Sequence, residues 1–309
     1  MEIAIIILLA VAVDIAFGEL PNPLHPVAWL GKAISWETKW VPRRGKIIEL
    51  IYGIGIVLVT LGVIVTCVYF LLIYLKQFSP VAYIFGAAFL LKLTFSLSGL
   101  KRAAVKVRDF MAGDNQDGAR RQLRALVSRD ATSLDEEHLV SAVVESVAEN
   151  SCDSFVAPIG YFLIFGVPGA VAYRVINTFD AMVGYHGHWG YLGKFAARLD
   201  DVVNFLPARL TALIIILATY LRKRDVAGAW HIMLRDHGRT KSPNAGWTMS
   251  AMAGALGVQL EKAGYYKLGD NHYPLSLETI ASSLQLMVMV ALLWSLVSVL
   301  TGVMLFVIA

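Results

Sequence analysis

The sequence predicts an all-α, polytopic integral membrane protein in which apolar helices alternate with polar segments that carry amphipathic helices. Of the 309 residues, 57% are hydrophobic and 16% are charged, against roughly 45–50% and about 25% in a typical soluble domain. The final stretch, residues 283–309, has no charge over more than the roughly 20 residues that a bilayer crossing needs. Residues 47–75 contain a single charge, Glu49, near their start. Both stretches are therefore predicted to span the membrane.

The first apolar segment, residues 3–13, is shorter than a full span and is followed by Asp14. It has no leading Lys or Arg and no small-residue cleavage pattern follows it, so a signal peptide is not expected. We interpret it as a retained helix that places Asp14 near one membrane surface.

A turn containing Pro80 separates residues 47–75 from a second apolar stretch, residues 80–98. The two stretches predict a transmembrane hairpin. Lys92 lies near the far end of the second stretch, where its long side chain is expected to snorkel toward the lipid headgroups.

Three polar segments, at about 18–46, 99–154 and 222–282, are rich in Lys and Arg. By the positive-inside rule they should face the cytoplasm of a protein in the cell membrane. The net charge of +4 is modest, and its placement beside apolar segments favours membrane topology and anionic lipid over nucleic acid. No linker marks a boundary, so residues 1–309 are predicted to form one integral membrane domain.

Two weaker apolar segments, 155–176 and 205–221, flank a polar loop at 177–204. Gly and Pro interrupt the first of them, and broken helices are tolerated at membrane depth where they line a cavity. We favour a re-entrant or tilted pair that keeps the loop within cytoplasmic reach. Two ordinary spans with the loop outside remain the alternative.

An amphipathic helix is predicted just before this broken segment. Ser133 followed by Glu136 matches the capping-box pattern, and the predicted helix runs from about Leu134 to Asn150. Its apolar residues recur at helical spacing on one face.

Three carboxylates, Glu145, Glu149 and Asp153, recur at four-residue intervals opposite that apolar face. One interpretation is that they form the solvent-exposed face of an amphipathic helix. The other is a cation site, because no Lys or Arg lies between these like charges to reduce their repulsion. Carboxylates with the nearby amide of Asn150 suit Mg²⁺. The pattern alone does not distinguish Mg²⁺ from a proton relay or an arginine partner.

More polar residues lie among apolar ones farther along the chain, where burial is costly unless they are paired or functional. They are Arg174, Asn177, Asp180, Lys194, Arg198, Asp200, Asp201, Asn204 and Arg209. On a helix, Asn204 shares a face with Asp200 or Asp201. A binding role is expected for this set, with His186 and His188 as loop donors.

The segment 240–260 begins with a turn around Asn244 and continues as a helix of small residues. Backbone N–H groups at such a turn favour anions such as phosphate, although a plain helix cap gives the same pattern. Small residues allow close packing against another helix or a large flat ligand.

Four stretches taken together resemble a known family: "GELPNPLHPVAWLGK", "RDATSLDEEHLVSAVVESVAENSCDSFVAPIGYFLIFGVPGAVAYRVINTFDAMVGY", "ARLDDVVNFLPARLTA" and "SPNAGWTMSAMAGALGV". They are similar to the adenosylcobinamide-phosphate synthases, the CobD/CbiB family of cobalamin biosynthesis, over nearly the whole chain. Glu19 stands where many relatives have Asp, and Cys152 lies at a variable position.

The resemblance implies a membrane ligase that joins adenosylcobyric acid to (R)-1-aminopropan-2-yl phosphate or ethanolamine phosphate, with ATP and Mg²⁺, through an acyl phosphate. It assigns Mg²⁺ and nucleotide phosphates to Glu145, Glu149 and Asp153, joined by Asp180 and by Asp200 or Asp201. Phosphate binding would fall to the basic residues Arg174, Lys194, Arg198 and Arg209. Substrate amides would be oriented by Asn177, Asn204 and Asn244.

His25 lies between Pro23 and Pro26 and would face the corrin or assist deprotonation of the amine, unless it is only part of a structural turn. A set of aromatic residues would line a corrinoid site at the membrane interface or act as membrane anchors. These are Tyr185, Trp189, Tyr191 and Trp247.

The partners that the resemblance implies are the corrinoid, the amino-alcohol phosphate and membrane lipid. A homo-oligomer, or a complex with other enzymes of the pathway, is a further possibility, and no nucleic-acid partner is expected. Two other classes of protein compete with the ligase. A transporter would also have intramembrane acids and broken helices. A membrane scaffold would catalyse no reaction.

Overall fold

The computed structural model describes residues 1–42, 45–127, 131–184 and 190–308, without the side chain of Asn22. This part of the chain is mostly helical and has only one short pair of strands, so the predicted all-α class is confirmed. In chain order the helices are α1 (Glu2–Phe17), α2 (Pro26–Glu37), α3 (Lys46–Phe78), α4 (Pro80–Lys92), α5 (Leu97–Ala112), α6 (Gln116–Leu123), α7 (Glu136–Ser151), α8 (Ala157–Val183), α9 (Lys194–Val203), α10 (Phe205–Leu221), α11 (Val226–Asp236), α12 (Ala245–Leu256) and α13 (Leu277–Ile308). Strands β1 (Leu260–Lys262) and β2 (Tyr266–Leu268) form an antiparallel hairpin.

Several helical stretches are long and apolar enough to cross a membrane. Within the described residues they are Lys46–Phe78, Pro80–Ala112, Glu136–Val183 and Leu277–Ile308, and the bent pair α9 and α10 passes the same test when taken together. The predicted spans at 47–75 and 283–309 therefore correspond to α3 and α13. With 16 residues, α1 is a helix but is shorter than these stretches.

The chain divides into two compact units, each assembled from separated segments. The first contains residues 1–96, 157–204 and 297–309, and the second contains residues 97–156 and 205–296. Each unit is described by itself below. The prediction of one integral membrane domain stays a prediction.

In the first unit, α3 and α4 are joined by the turn that the sequence predicts at Ser79 and Pro80. Ser79 is the N-cap of α4, and its Oγ accepts hydrogen bonds from the backbone N–H groups of Val81 and Ala82. Pro80 occupies the first helical position, where its missing N–H costs nothing. A turn of one residue therefore separates the long apolar helix α3 from the shorter apolar helix α4.

Helices α2, α3, α8 and α9 pack around a shared core in the same unit. Ile34 of α2, Val57 of α3 and Phe179 of α8 are almost completely buried there, together with Leu192 just before α9. This packing places the polar residues of α8 and α9 beside an apolar core.

Helix α8 is broken near its middle, as the interrupted segment predicts. Gly166 has φ 66° and ψ −165°, a conformation that side-chain-bearing residues rarely adopt. Pro168 follows within the same helix and cannot donate a backbone hydrogen bond. The two residues together explain why the helical path is interrupted here.

In the second unit, α7 begins at Glu136 and not at about Leu134. Its N-cap is Asp135, whose side chain accepts a hydrogen bond from the backbone N–H of His138 at 2.9 Å. The predicted capping box at Ser133 is therefore wrong, because the Asp135 carboxylate caps the helix two residues later. Immediately after α7, residues Cys152–Val156 form a π-helical turn.

The small residues of α12 pack against α11. A Cβ atom added to Gly254 would lie 2.5 Å from the carbonyl oxygen of Gly228 and 2.7 Å from Cα of Ala229. The backbones of the two helices therefore meet without side chains between them. The sequence allowed these small residues to pack against another helix or against a large flat ligand, and the structure shows packing against a helix.

Candidate functional site

A polar cluster lies between α8 and α9 in the first unit. Arg174 donates from Nη1 to Oδ1 of Asn177 at 3.4 Å, and Asn177 donates from Nδ2 to Oδ1 of Asp200 at 3.4 Å. Asn204 donates from Nδ2 to Oδ2 of Asp200 at 2.9 Å, and it accepts from the hydroxyl of Tyr173 at 2.8 Å. We call these five residues the α8–α9 cluster.

The carboxylate of Asp200 is held in the α8–α9 cluster by amides and not by a cation. Within the described part of the chain, Asn177 and Asn204 are its hydrogen-bond donors, and no ion pair includes it. Asn204 is 2% exposed and Asp200 is half-buried. The negative charge is therefore oriented but not neutralised, as a group that receives a cationic ligand would be.

Asp201, the neighbour of Asp200, has a different environment. Arg198 donates to its carboxylate at 3.4 Å, and the Arg198 side chain is 75% exposed. Lys194 is also exposed, with Nζ 5.8 Å from the ring centre of Tyr191. Asp180 is half-buried near the end of α8. On α9, Asp200 joins the α8–α9 cluster through its hydrogen bonds with Asn177 and Asn204.

The loop that carries the predicted donors His186 and His188 lies outside the described residues. Tyr185 and Trp189 fall in the same gap. The predictions for these four residues therefore stay predictions.

His25 has both ring nitrogens engaged. Its Nδ1 accepts a hydrogen bond from the backbone N–H of Val27 at 3.2 Å and so caps α2. Its Nε2 lies 2.7 Å from Oε2 of Glu19, to which it donates in that tautomer. His25 therefore has the structural role expected of a residue in a turn, because it caps α2. Its predicted role in facing the corrin or deprotonating the amine stays a prediction.

Glu19 joins His25 to a buried ion pair. Lys92 lies 2.6 Å from Oε1 of Glu19 and 3.0 Å from Oδ1 of Asp14, and it is 4% exposed. Burial alone would raise the pKa of Glu19, but the hydrogen bonds from His25 and Lys92, with the charge of Lys92, lower it to about 2. We call Asp14, Glu19, His25 and Lys92 the Lys92 network.

The prediction that Lys92 snorkels to the headgroups is wrong. Two carboxylates lie within ion-pair distance of its ammonium group inside the first unit, so the side chain turns inward. Asp14 is 1% exposed, and its place is beside Lys92. The sequence contained a signal for this pairing, since each of two apolar segments carries one charge, of opposite sign.

Glu145 of α7 is buried and already hydrogen-bonded. Ser141 donates from Oγ to Oε1 at 2.7 Å, and Tyr266 of β2 donates from its hydroxyl to Oε2 at 2.8 Å. The backbone N–H of Glu261 in β1 also donates to Ser141 Oγ at 2.8 Å. These contacts tie α7 to the β-hairpin.

The interpretation of the acidic stripe as the wet face of α7 is wrong for Glu145. Residues 139–148 are buried on every side of the helix, and Glu145 is 6% exposed. Helices and the hairpin cover the face that the sequence pattern left to solvent. The contacts of Ser141 and Tyr266, which cover it, were missed because they join residues about 120 positions apart.

Glu149 and Asp153 are both half-buried at the C-terminal end of α7. Asp153 lies in the π-helical turn, an irregularity that is frequent at functional sites. Asn150 is engaged locally, donating to the carbonyl of Ser146 and accepting from Ser154. Among the described residues, no group of three His, Cys, Asp or Glu side chains is arranged to hold a metal ion.

Arg209 and Asn244, both predicted to bind substrate, contact each other in the second unit. Nη1 of Arg209 donates to Oδ1 of Asn244 at 3.2 Å, and the guanidinium lies 4.8 Å from the ring centre of Trp247. Ser242 accepts hydrogen bonds from the backbone N–H groups of Asn244 and Ala245. The N–H groups predicted to bind an anion at this turn are thus partly satisfied by Ser242.

Comparison with known proteins gives the family. The sequence profile described as CobD/Cbib protein matches residues 7–287. The chain is 50% identical over 299 residues to the cobalamin biosynthesis protein CobD of Dehalococcoides mccartyi, with 97% of each chain covered. It is 41% identical to the probable cobalamin biosynthesis protein CobD of Methanothermobacter thermautotrophicus, again with 97% of each covered.

A further relative, the probable cobalamin biosynthesis protein CobD of Pyrococcus furiosus, is 39% identical over 84% of this chain and 85% of its own. No solved structure matches the chain. The profile match extends over nearly the whole sequence, from α1 into α13, and includes every residue of the α8–α9 cluster. The chain belongs to the CobD/CbiB protein family.

Proposed function

We propose that this protein is the amide-forming ligase of cobalamin biosynthesis that joins a carboxylate of adenosylcobyric acid to an amino-alcohol phosphate. Membership of the CobD/CbiB family supports a role in this pathway. The structural observation that carries the proposal is the α8–α9 cluster, in which Asp200 is oriented without a cation and Asn177 links it to Arg174.

The two ends of an amino-alcohol phosphate match these two charges. Its ammonium group would pair with the carboxylate of Asp200, and its phosphate would pair with the guanidinium of Arg174. Asn177, which contacts both residues, would set their separation. Asp200 would then also be placed to accept a proton as the ammonium becomes a nucleophilic amine.

The reaction needs an activated carboxylate, because a carboxylate ion does not accept an amine at neutral pH. In the proposed sequence, a carboxylate oxygen of the corrinoid attacks the terminal phosphorus of ATP, and ADP leaves. The amine nitrogen then attacks the acyl carbon, inorganic phosphate leaves, and the nitrogen loses a proton. Cationic side chains favour such steps by balancing charge on the transferred phosphoryl group.

Magnesium would be held by Glu149 and Asp153, whose oxygen donors fit this ion. Mg²⁺ is usually bound by one or two carboxylates together with substrate phosphates, so a cluster of three acids is not required. When bound, it would supply charge neutralisation for the nucleotide phosphates. Glu145 is the weaker choice because it is 6% exposed, whereas Glu149 and Asp153 are half-buried.

The test is product formation by purified protein in detergent, supplied with adenosylcobyric acid, ATP, Mg²⁺ and either amino-alcohol phosphate. Asp200→Asn should lower product formation at least tenfold and weaken binding of the amine substrate, since the charge is lost but the shape is kept. Asp201→Asn is the matched control, because its carboxylate faces the exposed Arg198. It should retain most of the activity.

A second pair of variants tests the metal assignment. Glu149→Gln should raise the Mg²⁺ concentration needed for half-maximal activity. Glu145→Gln should lower stability and leave that concentration unchanged. Wild type that binds the corrinoid but forms no product with either amine would overturn the ligase and favour a transporter or scaffold.

A further inference from the structure

A groove in the second unit combines an apolar floor with cationic side chains. It has a volume of about 490 Å³ and runs along the first half of α13, with α5 and the end of α10 beside it. Its apolar lining comes from Val105, Ala281, Leu284, Val288, Met289 and Leu292. Its cations are Lys101, Arg108 and Arg222.

Two of the three cations are not neutralised by the protein. Within the described residues, neither Lys101 nor Arg222 forms an ion pair, and Arg222 donates to the neutral side chain of Gln285 at 2.5 Å. Arg108 differs, because its guanidinium contacts the adjacent Asp109 at 2.9 Å. The groove therefore carries positive charge that an anion can balance.

The floor of the groove follows one face of a helix that is long and apolar enough to span a membrane. Leu284, Val288 and Leu292 recur every four residues along α13, so they form a continuous strip. Leu292 is 60% exposed. A small water-soluble anion would match the cations but would leave the half-buried Val288 and the exposed Leu292 at the open end of this strip uncovered.

We propose that the groove binds one anionic phospholipid, with its phosphodiester at Lys101 and Arg222 and an acyl chain along the α13 strip. Basic pockets beside membrane-spanning helices are suited to such headgroups. A phosphatidylcholine has the same acyl chains but brings its own cation, which would face Lys101 and Arg222. The groove should therefore select phosphatidylglycerol over phosphatidylcholine.

Native mass spectrometry of delipidated protein tests this selection, with phosphatidylglycerol and phosphatidylcholine of identical acyl chains. Wild type should retain phosphatidylglycerol about tenfold more tightly than phosphatidylcholine. Lys101→Gln combined with Arg222→Gln should remove that preference. Ala281→Trp should fill the groove and reduce retention of phosphatidylglycerol without changing any charge.

The matched control is Arg102→Gln combined with Lys106→Gln. Both residues are exposed on α5, neither lines the groove, and the change in net charge is the same. This double variant should keep the preference for phosphatidylglycerol. Thermal unfolding of each variant verifies that the protein stays folded.

Three results would overturn the proposal. Equal retention of the two lipids by wild type would show that the groove does not select lipids by charge. An equal loss of the phosphatidylglycerol preference in both double variants would show a diffuse attraction to basic residues. Displacement of phosphatidylglycerol by inorganic phosphate or ethanolamine phosphate would assign the groove to a soluble phosphate. These measurements need no turnover, so they are independent of the proposed ligase activity.

Discussion

Arg209 and Asn244, which are 35 positions apart in sequence, share a hydrogen bond of 3.2 Å from Nη1 to Oδ1. Asn244 is 5% exposed. The guanidinium also lies over two aromatic rings, 3.5 Å from the centre of Phe205 and 4.8 Å from that of Trp247. One amide and two rings therefore hold the plane of this cation.

Removing either side of this contact should weaken phosphate binding in the proposed reaction. Arg209→Lys loses the planar group that stacks on both rings, and Asn244→Ala releases the arginine. We expect each variant to raise KM for the amino-alcohol phosphate roughly tenfold, in line with the loss of a charged hydrogen bond. Steady-state kinetics measures this, and the double variant should be no worse than Arg209→Lys alone. Additive losses would show that the two residues act independently.

Replacing Lys92 should destabilise the first unit strongly. Lys92→Met leaves the buried carboxylate of Asp14 without its cation, which typically costs about 3–5 kcal/mol of unfolding free energy. Asp14→Asn combined with Lys92→Met should recover part of that loss, because the uncompensated charge is gone. Denaturant unfolding in detergent measures both. Lys76→Met is the control, since its pair with Glu2 is 3.8 Å long and the lysine is 62% exposed, so about 1 kcal/mol or less is expected.

Stability should fall with acid in a way that depends on Glu19. Its pKa is about 2 in the folded protein and 4.5 ordinarily. A lowered folded pKa means that the carboxylate stabilises the fold fully above about pH 4.5, and that this contribution is lost as the pH falls toward 2. Other acids with lowered pKa, including Asp236 and Asp270, contribute to the same trend.

The difference between wild type and Glu19→Gln isolates the contribution of Glu19. Thermal unfolding midpoints of the two proteins should be well separated near neutral pH and should converge between about pH 4.5 and 2. A separation that stayed constant across this range would rule out titration of Glu19 as its cause.

The contact between α11 and α12 should not tolerate a side chain at Gly254. Gly254→Ala places Cβ against backbone atoms of Gly228 and Ala229, which cannot move aside as a flexible side chain would. We expect a loss of about 1–3 kcal/mol from overpacking. Gly55→Ala in α3 is the control, because nothing lies within 4 Å of its Cβ position. It should be neutral or slightly stabilising, since alanine favours helix. Equal effects at the two sites would contradict the close approach.

Local patterns in the sequence predicted local structure well. The long apolar runs at 47–75 and 283–309 predicted α3 and α13, and Pro80 predicted the turn before α4. Helical spacing allowed Asn204 to share a face with Asp200 or Asp201, and in the structure Asn204 meets Asp200 at 2.9 Å. Each of these depends on helix geometry over a few residues.

Features that depend on distant parts of the chain were not predictable in the same way. Burial of α7 depends on the β-hairpin, so the hydrophobic pattern allowed a wet face at Glu145, a side chain that Tyr266 covers in the structure. The inward orientation of Lys92 likewise depends on a distant segment, because its partner Asp14 lies on α1. The participation of Tyr173 in the α8–α9 cluster could not be predicted from the sequence, because a tyrosine among apolar residues is common in membrane helices.

The pairing of Lys92 with Asp14 and Glu19 has a consequence for biosynthesis. Lys92 lies 73 positions after Glu19, and this stretch takes roughly 4–15 seconds to translate at about 5–20 residues per second. During that interval Asp14 of α1 and Glu19 have both been made, whereas Lys92 does not yet exist. A charge without a partner disfavours apolar surroundings. Helix α1 therefore reaches its final packing only after α4 has been made. In chains that terminate before Lys92, α1 should not pack in its native position.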